Sequence, residues 1–148
     1  MLIQRITDDM KAAMRAKDAA ALSAIRMLRA AIKDKEIELK TAELAQDDIF
    51  AVISRLIKQR KDSANQYTEA GRAELAEKEL AEIAVLEVYL PEQMSDEDIA
   101  ALVTAAVAEA GATSMKDMGA VMAIVRPKSQ GAADMGKVSA AIKSALQS

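Results

Sequence analysis

The sequence predicts an all-α protein, with an N-terminal bundle of about four helices followed by a small C-terminal domain of three helices. The chain has 148 residues but only 5 Gly and 2 Pro, which favours long helices over turns and strands. Its apolar residues recur at intervals of three and four, and no convincing alternating run marks a strand. We therefore expect an N-terminal helical domain over residues 1–92 and a C-terminal three-helix domain over residues 95–148.

The first two helices follow from an apolar stripe and from a capping residue. Leu2, Ile6 and Met10 begin a stripe that predicts a helix over residues 2–15. Asp18 is a suitable N-cap for a second helix over residues 19–39, because its carboxylate can accept a bond from a free amide of the first turn.

The next two helices form the predicted hairpin of the first domain. Asp47 stands ahead of an apolar stripe and is the expected N-cap of the third helix. Gly71 is expected to end that helix in the left-handed conformation. A fourth helix over residues 72–90 should stop before Pro91, because proline disfavours helical geometry at the residue that precedes it.

Polar and glycine residues predict where the helices of the second domain begin and end. Ser95 begins a capping box with an acidic first turn, and Gly111 is expected to end this fifth helix. Ser114 is the expected cap of a sixth helix that Pro127 closes. The last helix is predicted from a stripe made of Val138, Ile142 and Leu146.

Composition excludes several classes of function. The chain contains no Cys, no His and no Trp, so it has no disulfide, no thiolate nucleophile, no imidazole base and no zinc site of the usual kind. With 2 Tyr and 1 Phe it also lacks the aromatic platform on which single-stranded bases usually stack. We assign no catalytic residue, no metal site and no cofactor.

Three charges lie where apolar residues are expected. Arg60 falls in the apolar stripe of the third helix, and Glu79 and Glu82 fall in that of the fourth. If these helices pack as a hairpin, the guanidinium can meet a carboxylate in a bidentate pair. We interpret the group as a structural ion pair that fixes helix register. The alternative, an acid and base pair or a metal site, lacks further ligands and a nucleophile.

The segment GAADMGKV at residues 131–138 nearly matches a phosphate-binding loop. Gly131 and Gly136 are five residues apart and Lys137 follows, but Val138 stands where that motif needs Ser or Thr, and no strand precedes it. The glycines are therefore interpreted as residues that mark the boundaries of helices. The loop can still bind a backbone phosphate of a larger ligand through Lys128, Lys137 and the amides that begin the last helix.

Charge is unevenly distributed along the chain. Between residues 72 and 98 there are nine acids and two bases, although the formal net charge of the whole chain is only -3. Two neighbouring helices carry a basic area, interpreted as an ordinary solvated surface because acids lie close by. Its residues are Arg26, Arg29, Lys33, Arg55, Lys58 and Lys61.

Several short motifs, in order along nearly the whole chain, resemble the GatB/YqeY family. They are IRMLRAAIK at 25–33, LIKQRKDS at 56–63, Tyr67, AGR at 70–72, EKE at 77–79, YLPEQ at 89–93 with Ser95, MKDMGAVM at 115–122 and the loop at 131–136. One departure is Ala132, because the family usually has Arg or Lys directly after the loop glycine.

The resemblance implies an all-α fold of two helical domains, similar to the tail of the GatB subunit of the tRNA-dependent amidotransferase. That tail helps to hold the tRNA, whereas the catalytic parts of the enzyme lie elsewhere. The family label of carbon–nitrogen ligase activity with glutamine as amide donor is interpreted as inherited from the amidotransferase.

We therefore expect a non-catalytic module that binds tRNA or a tRNA-containing complex, through Lys128, Gly131, Gly136 and Lys137. The alternatives are a protein-interaction module whose acidic fourth helix meets a basic partner, and an accessory to amide transfer that acts beside amidotransferase subunits. The first nine residues lack the pattern of a secretory signal, and no apolar run approaches the roughly 18 residues of a membrane span. A cytoplasmic location is expected, without a membrane partner.

Overall fold

The computed structural model describes residues 2–129 and 131–147, and within these residues the chain is helical with no strand. This confirms the predicted all-α class. The described helices are α1 (Leu2–Ala16), α2 (Ala19–Leu39), α3 (Gln46–Glu69), α4 (Ala73–Glu87), α5 (Asp96–Ala110), α6 (Met118–Ser129) and α7 (Met135–Gln147), with a short 3-10 helix at Met115–Asp117.

The chain divides into two compact units, Met1–Leu90 and Pro91–Ser148. The first unit comprises α1 to α4, and each of these helices contributes to its apolar core, which includes Ile6, Leu28, Ile53 and Leu86. The second unit comprises α5 to α7 around a core of its own, which includes Val103, Val121, Val138 and Ile142.

Capping explains where α2 and α3 begin. The Asp18 carboxylate accepts a hydrogen bond from the Ala21 amide at 3.1 Å, so this N-cap is as predicted. The predicted N-cap of α3 is wrong, because Ala45 takes the extended conformation before the helix and Asp47 already lies in its first turn. A carboxylate is still favourable there, since the first turn carries the positive end of the helix dipole.

Helix α4 ends at Glu87 rather than at residue 90, so its predicted length is wrong. The chain leaves the helix in a turn that buries Tyr89, which is 4% exposed. Packing of this side chain therefore ends the helix before Pro91 does. Between α3 and α4, Gly71 has a φ of 75°, the left-handed conformation predicted for it.

The ends of α5 carry the predicted signals. Ser95 Oγ accepts from the Asp98 amide at 3.1 Å, and the Asp98 carboxylate accepts from the Ser95 amide at 3.2 Å, which completes a capping box. Gly111 follows the helix with a φ of 63°. Both features are as predicted.

The sixth helix departs from prediction at both ends. Ser114 precedes the 3-10 helix rather than α6 itself. Pro127 lies inside the last turn of α6, which continues to Ser129. Proline removes a single backbone donor there, and the buried Ser129 adds a hydroxyl bond of 2.9 Å to the Val125 carbonyl, which holds the turn beyond the proline.

No single helix among the described residues is both long and apolar enough to cross a bilayer. The segments Asp96–Ala110 and Met115–Ser129 reach the required length and composition only when taken together, and a bend of 97° separates them.

Candidate functional site

A cleft of about 380 Å³ opens on the first unit between α2, α3 and α4. All three helices contribute polar side chains to it, and one methionine adds an apolar surface. The lining residues are Ser23, Met27, Gln59, Arg60, Ser63, Lys78, Glu79 and Glu82.

A buried ion pair forms one wall of this cleft. Arg60 Nε donates to Glu82 Oε2 at 3.1 Å, and the two residues are only 5% and 6% exposed. Arg60 is buried because it lies on the same face of α3 as Leu56 and Ile57, which pack in the core. A buried charge requires a partner of opposite sign, and Glu82 supplies it from α4.

The pair is joined by one contact rather than by the bidentate contact expected from the sequence. Glu82 Oε1 instead accepts from the Ser23 hydroxyl at 3.3 Å. Arg60 Nη1 donates to the Leu56 carbonyl at 3.2 Å, and Nη2 donates to Met27 Sδ at 3.1 Å. The group thus connects α2, α3 and α4.

Glu79 lines the cleft but does not share in the ion pair. It is half-buried one turn before Glu82, and the contact to Arg60 comes from Glu82. In the part of the chain that the structure describes, no three acidic side chains are grouped so that they can hold a metal ion.

A second polar cluster in the first unit was not foreseen from the sequence. The Tyr89 hydroxyl donates to Asp9 Oδ2 at 2.6 Å, and the Arg5 guanidinium lies 5.0 Å from the centre of the tyrosine ring. Burial, and then the bond to Asp9, raise the pKa of Tyr89 above its usual range. The spacing of Arg5 and Asp9 on one face of α1 is visible in the sequence, but Tyr89 lies 80 residues from Asp9 along the chain.

The two lysines proposed to bind RNA both lie beside acids of α5. Lys128 Nζ is 3.8 Å from Glu109 Oε2, and Lys137 Nζ is 3.4 Å from Asp96 Oδ1. The lysine side chains are 57% and 62% exposed. Exposed pairs of this kind are weak, so the lysines stay accessible to another anion, although their charge is partly balanced.

The loop between these lysines is hydrogen-bonded to the segment that precedes α5. Gly131 has a φ of 76°, and its carbonyl accepts from the Gln93 side chain at 2.8 Å. The Met94 amide donates to the Ala132 carbonyl at 2.7 Å. These bonds give the backbone around Gly131 a defined conformation.

One amide at the start of α7, within the predicted phosphate-binding loop, bonds to a side chain of the same loop. The Gly136 amide donates to Asp134 Oδ1 at 2.8 Å, so a carboxylate of the same loop occupies this donor. A negative charge at the helix N-terminus is favourable for α7 but competes with an incoming phosphate. One of the expected amide donors is therefore engaged, and phosphate binding by this loop and its two lysines stays a prediction.

The basic residues of α2 and α3 are exposed, as expected for a solvated surface. Within residues 2–129 and 131–147, none of the six has a carboxylate oxygen within 4.0 Å of its charged nitrogens. The residues are Arg26, Arg29, Lys33, Arg55, Lys58 and Lys61.

Comparison with known proteins gives a match over almost the whole chain. A family model described as Yqey-like protein matches residues 3–146. Among curated proteins, Altered inheritance of mitochondria protein 41, mitochondrial, from Vanderwaltozyma polyspora is 40% identical over 82 residues, which are 55% of this chain and 44% of that protein. The protein of the same name from Kluyveromyces lactis is 40% identical over 87 residues, or 59% of this chain and 47% of the relative.

A third relative, of the same name and from Saccharomyces cerevisiae, is 38% identical over 88 residues, which are 60% of this chain and 48% of that protein. The matched part of this chain thus spans about half the length of the curated relatives.

The expected cytoplasmic location is wrong by this comparison. The finding that contradicts it is the name of these relatives, which describes them as mitochondrial proteins. The expectation rested on the absence of a secretory pattern, and that absence bears on export alone. A small helical fold is compatible with the cytoplasm and with mitochondria.

Proposed function

The chain belongs to the YqeY-like family, and from that membership we propose that it is a non-catalytic helical module that binds tRNA or a complex containing tRNA. The observation that carries the proposal is the extent of the family match, residues 3–146, because this family is related to the tail of the amidotransferase subunit GatB. The proposal transfers to this chain the tRNA-holding role of that tail.

Lys128 and Lys137 are the proposed contacts on the second unit. Both side chains are more than half exposed, and among the described residues each forms an ion pair with an exposed acid. Phosphate groups of an RNA can replace these carboxylates at little cost, because exposed ion pairs contribute about 0–1 kcal/mol. Binding of this kind is dominated by phosphate contacts and depends strongly on salt.

The test is the binding of purified protein to bulk tRNA over a salt series, with duplex DNA of equal charge as the control. The variant Lys128→Ala/Lys137→Ala should weaken binding and reduce the slope of log affinity against log salt by up to about 1.8, since each lost phosphate contact removes roughly 0.9. A matched control is Lys116→Ala/Lys143→Ala, which removes the same charge from exposed positions of the same unit. Equal affinity of the first variant and the unchanged protein would contradict the proposed contacts.

A protein partner with a basic surface is the second candidate. Glu77 and Glu87 of α4 are exposed, and no basic nitrogen of the described residues lies within 4.0 Å of either carboxylate. Charge reversal, Glu77→Lys/Glu87→Lys, should abolish binding of such a partner while leaving or improving affinity for tRNA. A co-purified partner that still binds this variant would exclude α4 as its docking site.

A further inference from the structure

Segments of α2, α3 and α4 that resemble the family pattern meet at the cleft of the first unit. Residues 25–33, 56–63 and 77–79 contribute most of its lining. Among these residues, Lys78 and Glu79 carry opposite charges, and in the described part of the chain neither has an oppositely charged group within 4.0 Å. We propose that the cleft binds a free α-amino acid, whose carboxylate pairs with Lys78 and whose ammonium group pairs with Glu79. This site does not depend on the proposed tRNA contacts, which lie on the second unit.

The charges that line the cleft favour a ligand that carries both signs. Arg60 and Glu82 balance each other through their ion pair, so Lys78 and Glu79 remain as one cation and one anion. A simple anion would be attracted by the lysine but repelled by the glutamate, and the reverse holds for a simple cation. An α-amino acid carries its carboxylate and its ammonium group on the same carbon, so it can meet the side chains of two consecutive residues.

Arg60 can contribute further donors to the ligand carboxylate. Each terminal nitrogen of an arginine carries two N–H groups. Nη1 and Nη2 of Arg60 each make one hydrogen bond to a described residue, so each keeps a second N–H. Because Arg60 is 5% exposed, these groups have little contact with water. A carboxylate in the cleft can accept from them, and such charge-assisted hydrogen bonds are stronger than neutral ones.

The size and the remaining lining of the cleft fit a small ligand. Its volume of about 380 Å³ lies at the lower end of the range of about 300–1,000 Å³ that is typical of small-molecule sites. Gln59 and Ser63 of α3 add an amide and a hydroxyl that make no side-chain hydrogen bond to the described residues. Met27 of α2 adds an apolar surface and is 49% exposed. This lining favours an amino acid with a short, unbranched apolar side chain.

The test compares L-norvaline with pentanoate, which lacks the ammonium group, and with butylamine, which lacks the carboxylate. Each probe is titrated into the full chain, and binding is followed by NMR of the methionine methyl groups. L-Norvaline should shift the signal of Met27 but not that of Met14, which is 50% exposed and does not line the cleft. It should bind at least about tenfold more tightly than either other probe, because each of them lacks a charge-assisted contact. Equal affinity of the three probes, or no shift of Met27 at about 10 mM L-norvaline, would overturn the proposal.

Two variants assign the charged contacts. Lys78→Gln should weaken binding of L-norvaline about tenfold and leave binding of butylamine unchanged, whereas Glu79→Gln should weaken both and leave pentanoate unchanged. The matched controls are Lys58→Gln and Glu69→Gln, which remove the same charges from exposed positions of α3 outside the cleft and should bind L-norvaline as the wild type does. Wild-type affinity of both cleft variants for L-norvaline would refute the assignment. If either variant does not fold, the comparison of the three probes on the wild-type protein remains decisive.

Discussion

Replacing Glu82 with leucine removes the partner of a buried charge while leaving Arg60 in place. Arg60 is 5% exposed, so its charge has little contact with water. Breaking a buried pair from one side costs about 3–5 kcal/mol, because the remaining charge stays desolvated and unpaired. Against a total stability of about 5–15 kcal/mol, this loss is large for a small helical unit.

A neighbouring carboxylate supplies the matched control. Glu79 precedes Glu82 by three residues on α4 and is half-buried, but the ion pair with Arg60 is made by Glu82. Glu79→Leu should change the free energy of unfolding by less than about 1 kcal/mol. The double variant Arg60→Leu/Glu82→Leu should recover most of the stability lost by Glu82→Leu, because an apolar pair can replace a buried ion pair at little cost.

Tyrosine fluorescence isolates the unit in question. The chain has 2 Tyr and no Trp, and both tyrosines, Tyr67 and Tyr89, belong to the first unit. Urea unfolding followed by this signal therefore measures the unit that holds the ion pair, while far-UV circular dichroism measures both units. A loss from Glu82→Leu no larger than that from Glu79→Leu would refute the reasoning. If Glu82→Leu does not fold, Glu82→Gln, which keeps an acceptor, should lose about 1–3 kcal/mol.

Two further predictions concern other parts of the molecule. Tyr89→Phe should lower the urea stability of the first unit by about 1 kcal/mol, since it removes the hydrogen bond to Asp9. Because the pKa of Tyr89 is raised in the fold, wild-type stability should also fall as the pH rises above about 10, where tyrosine of the unfolded chain ionises. The variant should show a shallower alkaline loss, and equal losses would contradict the assignment. In the second unit, Gly111→Ala should cost about 1–2 kcal/mol, because Gly111 has a φ of 63°. That loss should appear in urea unfolding followed by circular dichroism.

Capping residues, glycines and apolar periodicity predicted the helices well. The helix ends that were predicted wrongly depend on tertiary contacts. Asp18, Ser95 and Gly111 act on amides or on φ within a few residues of themselves, so their roles are visible in the sequence. The ends of α4 and α6 were wrong because they depend on distant packing. Tyr89 is buried through a partner on α1, and the last turn of α6 is held by a buried serine beyond its proline.

The candidate sites were predicted less completely for the same reason. The periodicity of α3 and α4 placed Arg60 and the two glutamates on facing stripes, but it did not choose between the glutamates. The single contact in place of a bidentate one depends on Ser23, which comes from α2 and is 59 residues from Glu82. In the second unit, the glycine spacing suggested open amides, whereas the side chain of Asp134 occupies one of them.

The division into two contiguous units has a consequence for how the chain folds as it is made. The core of the first unit draws all its residues from the first ninety positions, and the second unit takes none from that part of the chain. Most helix packing joins elements that are adjacent in sequence, a topology of low contact order that folds rapidly. The first unit can therefore complete its core while the second is still being synthesised, because no strand or helix from downstream is needed to close it.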